Sequence, residues 1–538
     1  MNLKTQNPTQ QEIAENFFKL HPVETIDVIT VQAARPIKLE GYTISASRSD
    51  KGVSATIGIA LDHSLRYALN RLKSWLATNE LELDIDEGPD FPIRGVVEGF
   101  YGKPWSHEQR LRGIKNFGDF NMNTYFLAPK DIPWQRFNWR APFDADFLSS
   151  TQELIDAGRK NAIDIAVCVS PGLSVKYCDE ADVDAVVHRY KQLFDLGARH
   201  FGLLWDDIAW ELSHEEDIAT YVSTAEAHAD FSNRVWAKIA ALDPKTVLTL
   251  CPMHYSGRGN EPYVQELGRE LHPRVNMMWT GRSIISEYLD IADAVIFERN
   301  ALRQALYWDN FPVNDGGLQA NLYIGPLRGR EVGLHKYSSG LVSNPMLQFE
   351  MSQLPLFTIG QYLWNGATYD PDQSWENALV HLVENEADCL ALRKFLRTTM
   401  GTPVGGDPAP DLRQVFRRGV TQWRQGNLEE AGDIFITAGR EIIENHRALT
   451  QPEFSKPLII AEIEKWLEKY LIGGETLIGL GQTLAGCGFD SVKKCISGTP
   501  ADILALEQLR ERLEAHRKNL FGDQIAGPIN ELMAELQS

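Results

Sequence analysis

The chain has 538 residues, 43% hydrophobic and 23% charged, which are the proportions of an ordinary globular protein and not of a disordered or disulfide-scaffolded one. At roughly 150 residues per domain, the length predicts three or four units. Lys and Arg total 53 against 73 Asp and Glu, and the resulting charge of −20 argues against nucleic acid and against an anionic membrane surface as partners.

The first twenty residues are polar and include Glu12 and Glu15, so no signal peptide is expected. No run of 18 apolar residues predicts a membrane span. Cys168, Cys178, Cys251, Cys389, Cys487 and Cys495 form no C-x-x-C pair and no Cys/His cluster at zinc spacing. They read as reduced thiols, and a cytoplasmic location is expected. Residues 1–91 read as a small α/β domain. Its strands are expected at 26–32, 42–46 and 54–60, and a helix over His63 to Leu76 repeats Leu65, Leu69, Leu72, Trp75 and Leu76 on one face.

From Pro92 the texture changes. Eight short apolar runs, 93–98, 123–128, 163–169, 201–206, 247–251, 275–280, 305–309 and 340–344, alternate with helical patterns such as 106–117, 146–160, 181–196 and 219–242. Eight βα units over about 250 residues predict a (β/α)8 TIM barrel spanning 92–370. An open doubly wound sheet is the alternative, and no G-x-G-x-x-G loop supports it. After about residue 370 strands are expected to disappear. Leu412 to Leu449, Lys456 to Leu484 and Pro500 to Leu536 read as a C-terminal helical bundle over 371–538.

A barrel keeps its chemistry at the C-terminal ends of its strands. Here those ends are polar and aromatic: Glu98-Gly99-Phe100-Tyr101, Lys130-Asp131, Trp205-Asp206-Asp207, His254-Tyr255, Trp308-Asp309-Asn310 with Asn314-Asp315, and Asn344. Taken singly, each has a bland reading as a cap, turn or rim residue. Around one mouth they offer flat aromatic faces, amides and acids, which suits a neutral polyhydroxylated ligand. Two carboxylates flanking a glycosidic bond are the usual hydrolase pair. Sequence neighbours on a strand end point to opposite sides, so a nucleophile facing an acid is awkward for Asp206-Asp207. A better division lets one Asp protonate the leaving oxygen. The other then holds a nucleophile supplied by the substrate, its 2-acetamido group.

Six blocks, 94–105 (RGVVEGFYGKPW), 123–131 (NTYFLAPKD), 203–208 (LLWDDI), 251–255 (CPMHY), 308–315 (WDNFPVND) and 343–345 (SNP), resemble the signature blocks of glycoside hydrolase family 84 in order and spacing. That family contains O-GlcNAcases and related β-N-acetylglucosaminidases. The resemblance implies a retaining exo-β-N-acetylglucosaminidase that works by substrate assistance through an oxazoline. Its substrate would be β-linked GlcNAc, including O-GlcNAc-modified proteins or peptides. It implies that Asp206 orients and polarises the acetamido group and that Asp207 is the general acid and later base. Tyr255 and Asn310 match contacts to the acetamido group or the intermediate, and Asp315 and Asn344 match holders of the outer hydroxyls. Gly99, through its backbone, and Lys130 match further sugar contacts, and Trp308 matches an aromatic wall. Asp207 must be protonated to act, a state favoured by burial and by the neighbouring Asp206 charge, whereas Asp206 needs hydrogen-bond donors. Ile132, Gln135, Ala141 and Phe143 depart from the family pattern. Two adjacent acids without a third ligand imply no metal, and no nucleotide loop implies a cofactor. Three alternatives stay open: a hexosaminidase- or hyaluronidase-like enzyme, a catalytically silent GlcNAc-binding protein, and a protein-interaction role for the helical region.

Overall fold

A computed structural model describes residues 2–5, 7–22, 26–50, 52–490 and 495–537. Five strands form the first sheet: β1 (Asn2–Lys4), β2 (Ile26–Ala33), β3 (Tyr42–Ser49), β4 (Gly52–Ile59) and β5 (Glu82–Glu87), in the spatial order β1-β2-β4-β3-β5. The helices Pro8–Leu20 and Ser64–Leu76 share a core with it, through Phe17, Ile44, Ile57, Leu65, Leu69 and Trp75. Strand β5 reads ELDIDE, so its apolar residues are only Leu83 and Ile85, too short an alternation to stand out in the sequence.

Eight parallel strands follow: β6 (Ile93–Glu98), β7 (Thr124–Leu127), β8 (Asp164–Val169), β9 (His200–Leu204), β10 (Val247–Cys251), β11 (Asn276–Trp279), β12 (Ala305–Asp309) and β13 (Ser338–Ser343). Each pairs with the next, and β13 pairs with β6 in the register Gly340↔Ile93, which closes the barrel. The expected TIM barrel is therefore present, each strand beginning and ending within about two residues of its apolar run. Alternate residues of the strands, among them Val97, Phe126, Ala166, Cys168, Leu204, Cys251, Met278, Leu306 and Val342, form one buried apolar cluster. Five of the helices between them start at side-chain caps: Ser106 with a capping box, Asp144, Asp179, Ser223 and Asp290.

By its internal contacts the chain divides into two compact units. One comprises Met1–Val313, Leu327–Leu347 and Leu356–Pro371, and holds both the first sheet and the barrel. Within it the buried Arg94 donates to Glu40 at 2.7 Å and Arg66 pairs with Asp119, so two ion pairs tie the first sheet and its helix to the barrel. The other unit comprises Asn314–Pro326, Gln348–Pro355 and Asp372–Ser538 and is mainly helical. Its expected helix over 412–449 is two helices, Pro410–Arg424 and Leu428–Thr450, broken at Gly426 with φ +86°. The stretch 500–536 likewise breaks into Pro500–Ala515 and Ala526–Gln537. Strands do not vanish altogether after residue 370, because Gly488–Asp490 pairs antiparallel with Cys495–Ser497. Such three-residue strands carry too few side chains to show a period. Five of the six cysteine side chains are described and are free thiols, and that of Cys495 lies outside the described part. No helix of the described residues is long and apolar enough to cross a membrane.

Candidate active site

The polar strand ends identified in the sequence lie, apart from Asn314 and Asp315, in the barrel unit at the C-terminal ends of its strands. Asp206 follows β9 and is 5% exposed. Lys130, just past β7 and 2% exposed, donates from Nζ to Asp206 Oδ2. The contact gives each of the two buried side chains a partner that it would otherwise lack. The other oxygen, Asp206 Oδ1, is buried without a hydrogen-bond partner among the described residues. A buried carboxylate oxygen left open is a ready place for an incoming N–H.

Asp207 behaves differently from its neighbour. Its backbone is left-handed, with φ +55°, an uncommon state for a residue with a Cβ and one that clusters at functional sites. The turn swings its side chain outward, so Asp207 is exposed and not buried as expected. Both carboxylate oxygens accept from phenols: Tyr101 donates to Oδ2 at 2.8 Å and Tyr255 to Oδ1 at 2.9 Å. Burial and the Asp207 charge push both phenols well above their ordinary range, so they stay protonated donors. Two adjacent residues thus hold carboxylates in unlike settings, one buried on a lysine and one at the mouth between tyrosines.

The wall beside them is a chain of amides and one indole. Trp308, at the end of β12 and 4% exposed, donates from Nε1 to Asn310 Oδ1 at 2.9 Å. Asn344 donates to that same oxygen at 2.9 Å, and its own Oδ1 accepts the N–H of Gly99 at 3.2 Å. Asn310 Nδ2 donates to the Ile284 carbonyl at 2.8 Å, which fixes the amide's orientation. A Cβ on Gly99 would lie 2.2 Å from Trp308 Cζ2, so only glycine lets this backbone pass the indole. The Lys130 ammonium lies 5.4 Å from the Trp308 ring centroid. Gly99, Lys130, Asp206, Asp207, Tyr255, Trp308, Asn310 and Asn344 all belong to the barrel unit, whereas Asp315 does not. Asp315 is half-buried before the short 3-10 turn Gly316–Leu318, in the segment Asn314–Pro326 of the second unit.

Two further residues contact the acid pair without having been singled out. Tyr101 lies two positions past Gly99 in the first block, and its place in a strand-end loop was its only signal. Arg136, on the short helix Pro133–Arg136, is 6% exposed and donates to the Tyr101 hydroxyl at 2.7 Å and to the Asp207 carbonyl at 3.0 Å. Other polar strand ends are structural. Glu98 is buried on Arg110 and Tyr125, and Asp309 is buried against Arg330 at 2.6 Å. The departing positions sit around the loop after β7. Phe143 is buried and stacks on Phe147 at 4.3 Å, Ile132 is half-buried, and Ala141 is exposed with its carbonyl accepting from Arg189. The Gln135 amide is buried with neither polar atom partnered among the described residues. Among the described residues no three His, Cys, Asp or Glu side chains converge as metal ligands.

Comparison with known proteins points the same way. The sequence model described as beta-N-acetylglucosaminidase matches residues 94–397, more than half of the chain. The chain is 30% identical over 338 residues to the Protein O-GlcNAcase of Rattus norvegicus and, equally, to that of Mus musculus. Each match covers 62% of this chain and 36% of the curated protein, so the chain spans little more than a third of those relatives' length. The structure of an O-GlcNAc hydrolase variant from Thermobaculum terrenum superposes with a TM-score of 0.76 at 27% identity, over 82% of this chain and 95% of that one. That of CpGH84B superposes with a TM-score of 0.80 at 22% identity, over 99% and 96%, and speaks for the fold.

Proposed function

The chain belongs to the beta-N-acetylglucosaminidase family, glycoside hydrolase family 84, and from that premise we propose that it is a retaining exo-β-N-acetylglucosaminidase working through its substrate's own acetamido group. One observation carries the reading: Asp206 has one oxygen held by Lys130 and the other buried and open. An acetamido N–H placed on Oδ1 gains a charge-assisted hydrogen bond that strengthens as the nitrogen becomes positive, so the stabilisation is larger in the transition state than in the ground state.

Protonated Asp207 gives its hydrogen to the glycosidic oxygen while the C1–O bond breaks, and the acetamido oxygen forms a new bond to C1. Asp206 accepts a hydrogen bond from the N–H of the resulting oxazolinium ion, whose positive charge it balances. Water then attacks C1, its proton passes to Asp207, and the bond from C1 to the acetamido oxygen breaks, which retains configuration at C1. Trp308 gives the sugar an apolar face, and Asn310, Asn344 and the Gly99 backbone give it polar partners. The leaving group is proposed to be a hydroxyl of a glycoprotein or other glycoconjugate, the cytoplasm the setting, and residues 91 and 370 the limits of the catalytic part.

Hydrolysis of an aryl β-N-acetylglucosaminide against the matching aryl β-glucoside tests this. Fast cleavage of the first and almost none of the second is expected. Equal cleavage places the nucleophile on the protein and contradicts the role of Asp206. Binding of GlcNAc without turnover makes the chain a lectin on an enzyme's scaffold.

A further inference from the structure

We infer that Arg136 is a positioning residue that decides which oxygen of Asp207 carries the catalytic proton. The inference rests on the role of Asp207 proposed above, and it starts from a property of guanidinium: it donates hydrogen bonds and cannot accept them. Arg136 Nη1 lies 2.7 Å from the Tyr101 oxygen, so in that bond the phenol must accept. Tyr101 has a single hydroxyl hydrogen, which is thereby directed away from Arg136 and onto Asp207 Oδ2 at 2.8 Å. The second arm of the same guanidinium holds the Asp207 carbonyl at 3.0 Å, at the residue whose left-handed backbone needs an external hold. Arg136 is 6% exposed, so the guanidinium is held in place by its surroundings while its partners lie nearer the mouth.

The two oxygens of Asp207 are therefore unequal. Oδ2 receives a hydrogen from a donor that is itself pinned from behind, and a proton placed there would face the Tyr101 hydrogen. Oδ1 receives its hydrogen bond from Tyr255, whose hydroxyl has no second anchoring bond among the described residues. Oδ1 is thus the oxygen that takes up the proton and presents it to the glycosidic oxygen, with Tyr255 releasing it as the substrate enters. In the second step the proton of the attacking water returns to that oxygen. The hydrogen bonds of Arg136 run to the Tyr101 hydroxyl and the Asp207 carbonyl, so it acts through those two groups.

The readout is the dependence of rate on the leaving group, because help from an acid matters for a basic leaving group and little for an activated one. The full chain, with Arg136→Met, Arg136→Lys and Tyr101→Phe, is assayed on methoxyphenyl and dinitrophenyl β-N-acetylglucosaminides. Arg136→Met and Tyr101→Phe are expected to lower kcat/KM on the methoxyphenyl substrate by about tenfold or more, and on the dinitrophenyl substrate by less than about threefold. Arg136→Lys, which keeps a cationic donor, should recover part of the loss. A merely structural role predicts equal losses on both substrates, and that result, or no loss on either, overturns the inference. A wild-type protein inert on both substrates overturns the proposed function, and the inference with it; an active wild type with uniformly weakened variants overturns the inference alone.

Discussion

The barrel and the C-terminal helices solve the packing problem in opposite ways. In the barrel, alternate strand residues fill the apolar cluster, and polar groups gather at the strand ends, where Asp206, Asp207, Tyr255 and Asn344 stand. Most of the packing and most of the polar groups thus come from different residues of the same strands, with Trp308 shared between them. In the second unit the helix Leu428–Thr450 lies along Pro457–Gly486 on glycines: a Cβ on Gly439 would come 2.5 Å from the Gly474 carbonyl, and one on Gly432 would come 2.6 Å from that of Gly481. Its interior polar contacts, such as Asn445 with the Ala391 carbonyl at 3.0 Å, hold helices and present nothing to a ligand. Substitutions at the mouth should therefore act on rate, and substitutions in the glycine seam on melting.

The largest separation should come from the acids. Asp206→Asn and Asp207→Asn are each expected to lower kcat/KM on an unactivated substrate by roughly 10²–10⁴-fold, measured by steady-state kinetics beside calorimetry; Tm should change little for the exposed Asp207 and fall for Asp206, whose loss strips buried Lys130 of its counter-charge. Near-full activity in either removes the role assigned to that residue. Gly99→Ala blurs the line, since its methyl would meet Trp308 at 2.2 Å. It should cost about 1–3 kcal/mol by overpacking and at least roughly tenfold in kcat/KM by displacing the indole. Retained affinity for GlcNAc, read by titration calorimetry, would show that the wall yields without loss.

In the helical unit, Gly439→Leu should lower stability by about 1–3 kcal/mol, seen as an earlier loss of helical circular dichroism. An unchanged melt would mean that the helices can slide apart at no cost. The smallest effect is a pH dependence. Burial raises the Glu462 carboxyl to about 7, against hydrogen bonds from the backbone N–H groups of Met351 and Glu350 that favour its charged form. A raised folded value contributes stability that is full below the ordinary carboxylate range and is lost as the pH climbs through about 7. The unit should lose roughly 1–3 kcal/mol between about pH 4.5 and 7 from this group, and Glu462→Gln should flatten that slope. An equal slope in the variant would place the titration elsewhere.

The two regions also differ in how much of them could be read in advance. The barrel strands are continuous apolar runs with polar ends, so β6, β10 and β12 match their runs to the residue. The helical unit is punctuated clearly only by the Gly- and Pro-rich stretch 401–411, whereas the single Gly426 and the polar stretch after residue 515 sit inside what reads as continuous helix. At the site, the six blocks named the acids, Tyr255, Asn310, Asn344 and Trp308 as candidates, and all six side chains belong to the barrel unit. Three things depended on geometry that no spacing contains. The left-handed turn at Asp207 exposes an acid expected to be buried. Lys130 turns out to pair with Asp206 inside the barrel. Arg136 reaches Tyr101 from 35 positions away in the chain.

The central claim is that the acetamido oxygen is the nucleophile and Asp206 its support. The most direct measurement is kcat/KM for aryl glycosides whose N-acetyl group carries none, one, two or three fluorines, in the wild type and in Asp206→Asn. Fluorine weakens the carbonyl oxygen as a nucleophile while leaving the leaving group unchanged. The account predicts a steep, stepwise fall along the series in the wild type, with the Asp206→Asn variant slow throughout. A flat series in the wild type would mean that the acetamido group takes no part in bond formation and would contradict it.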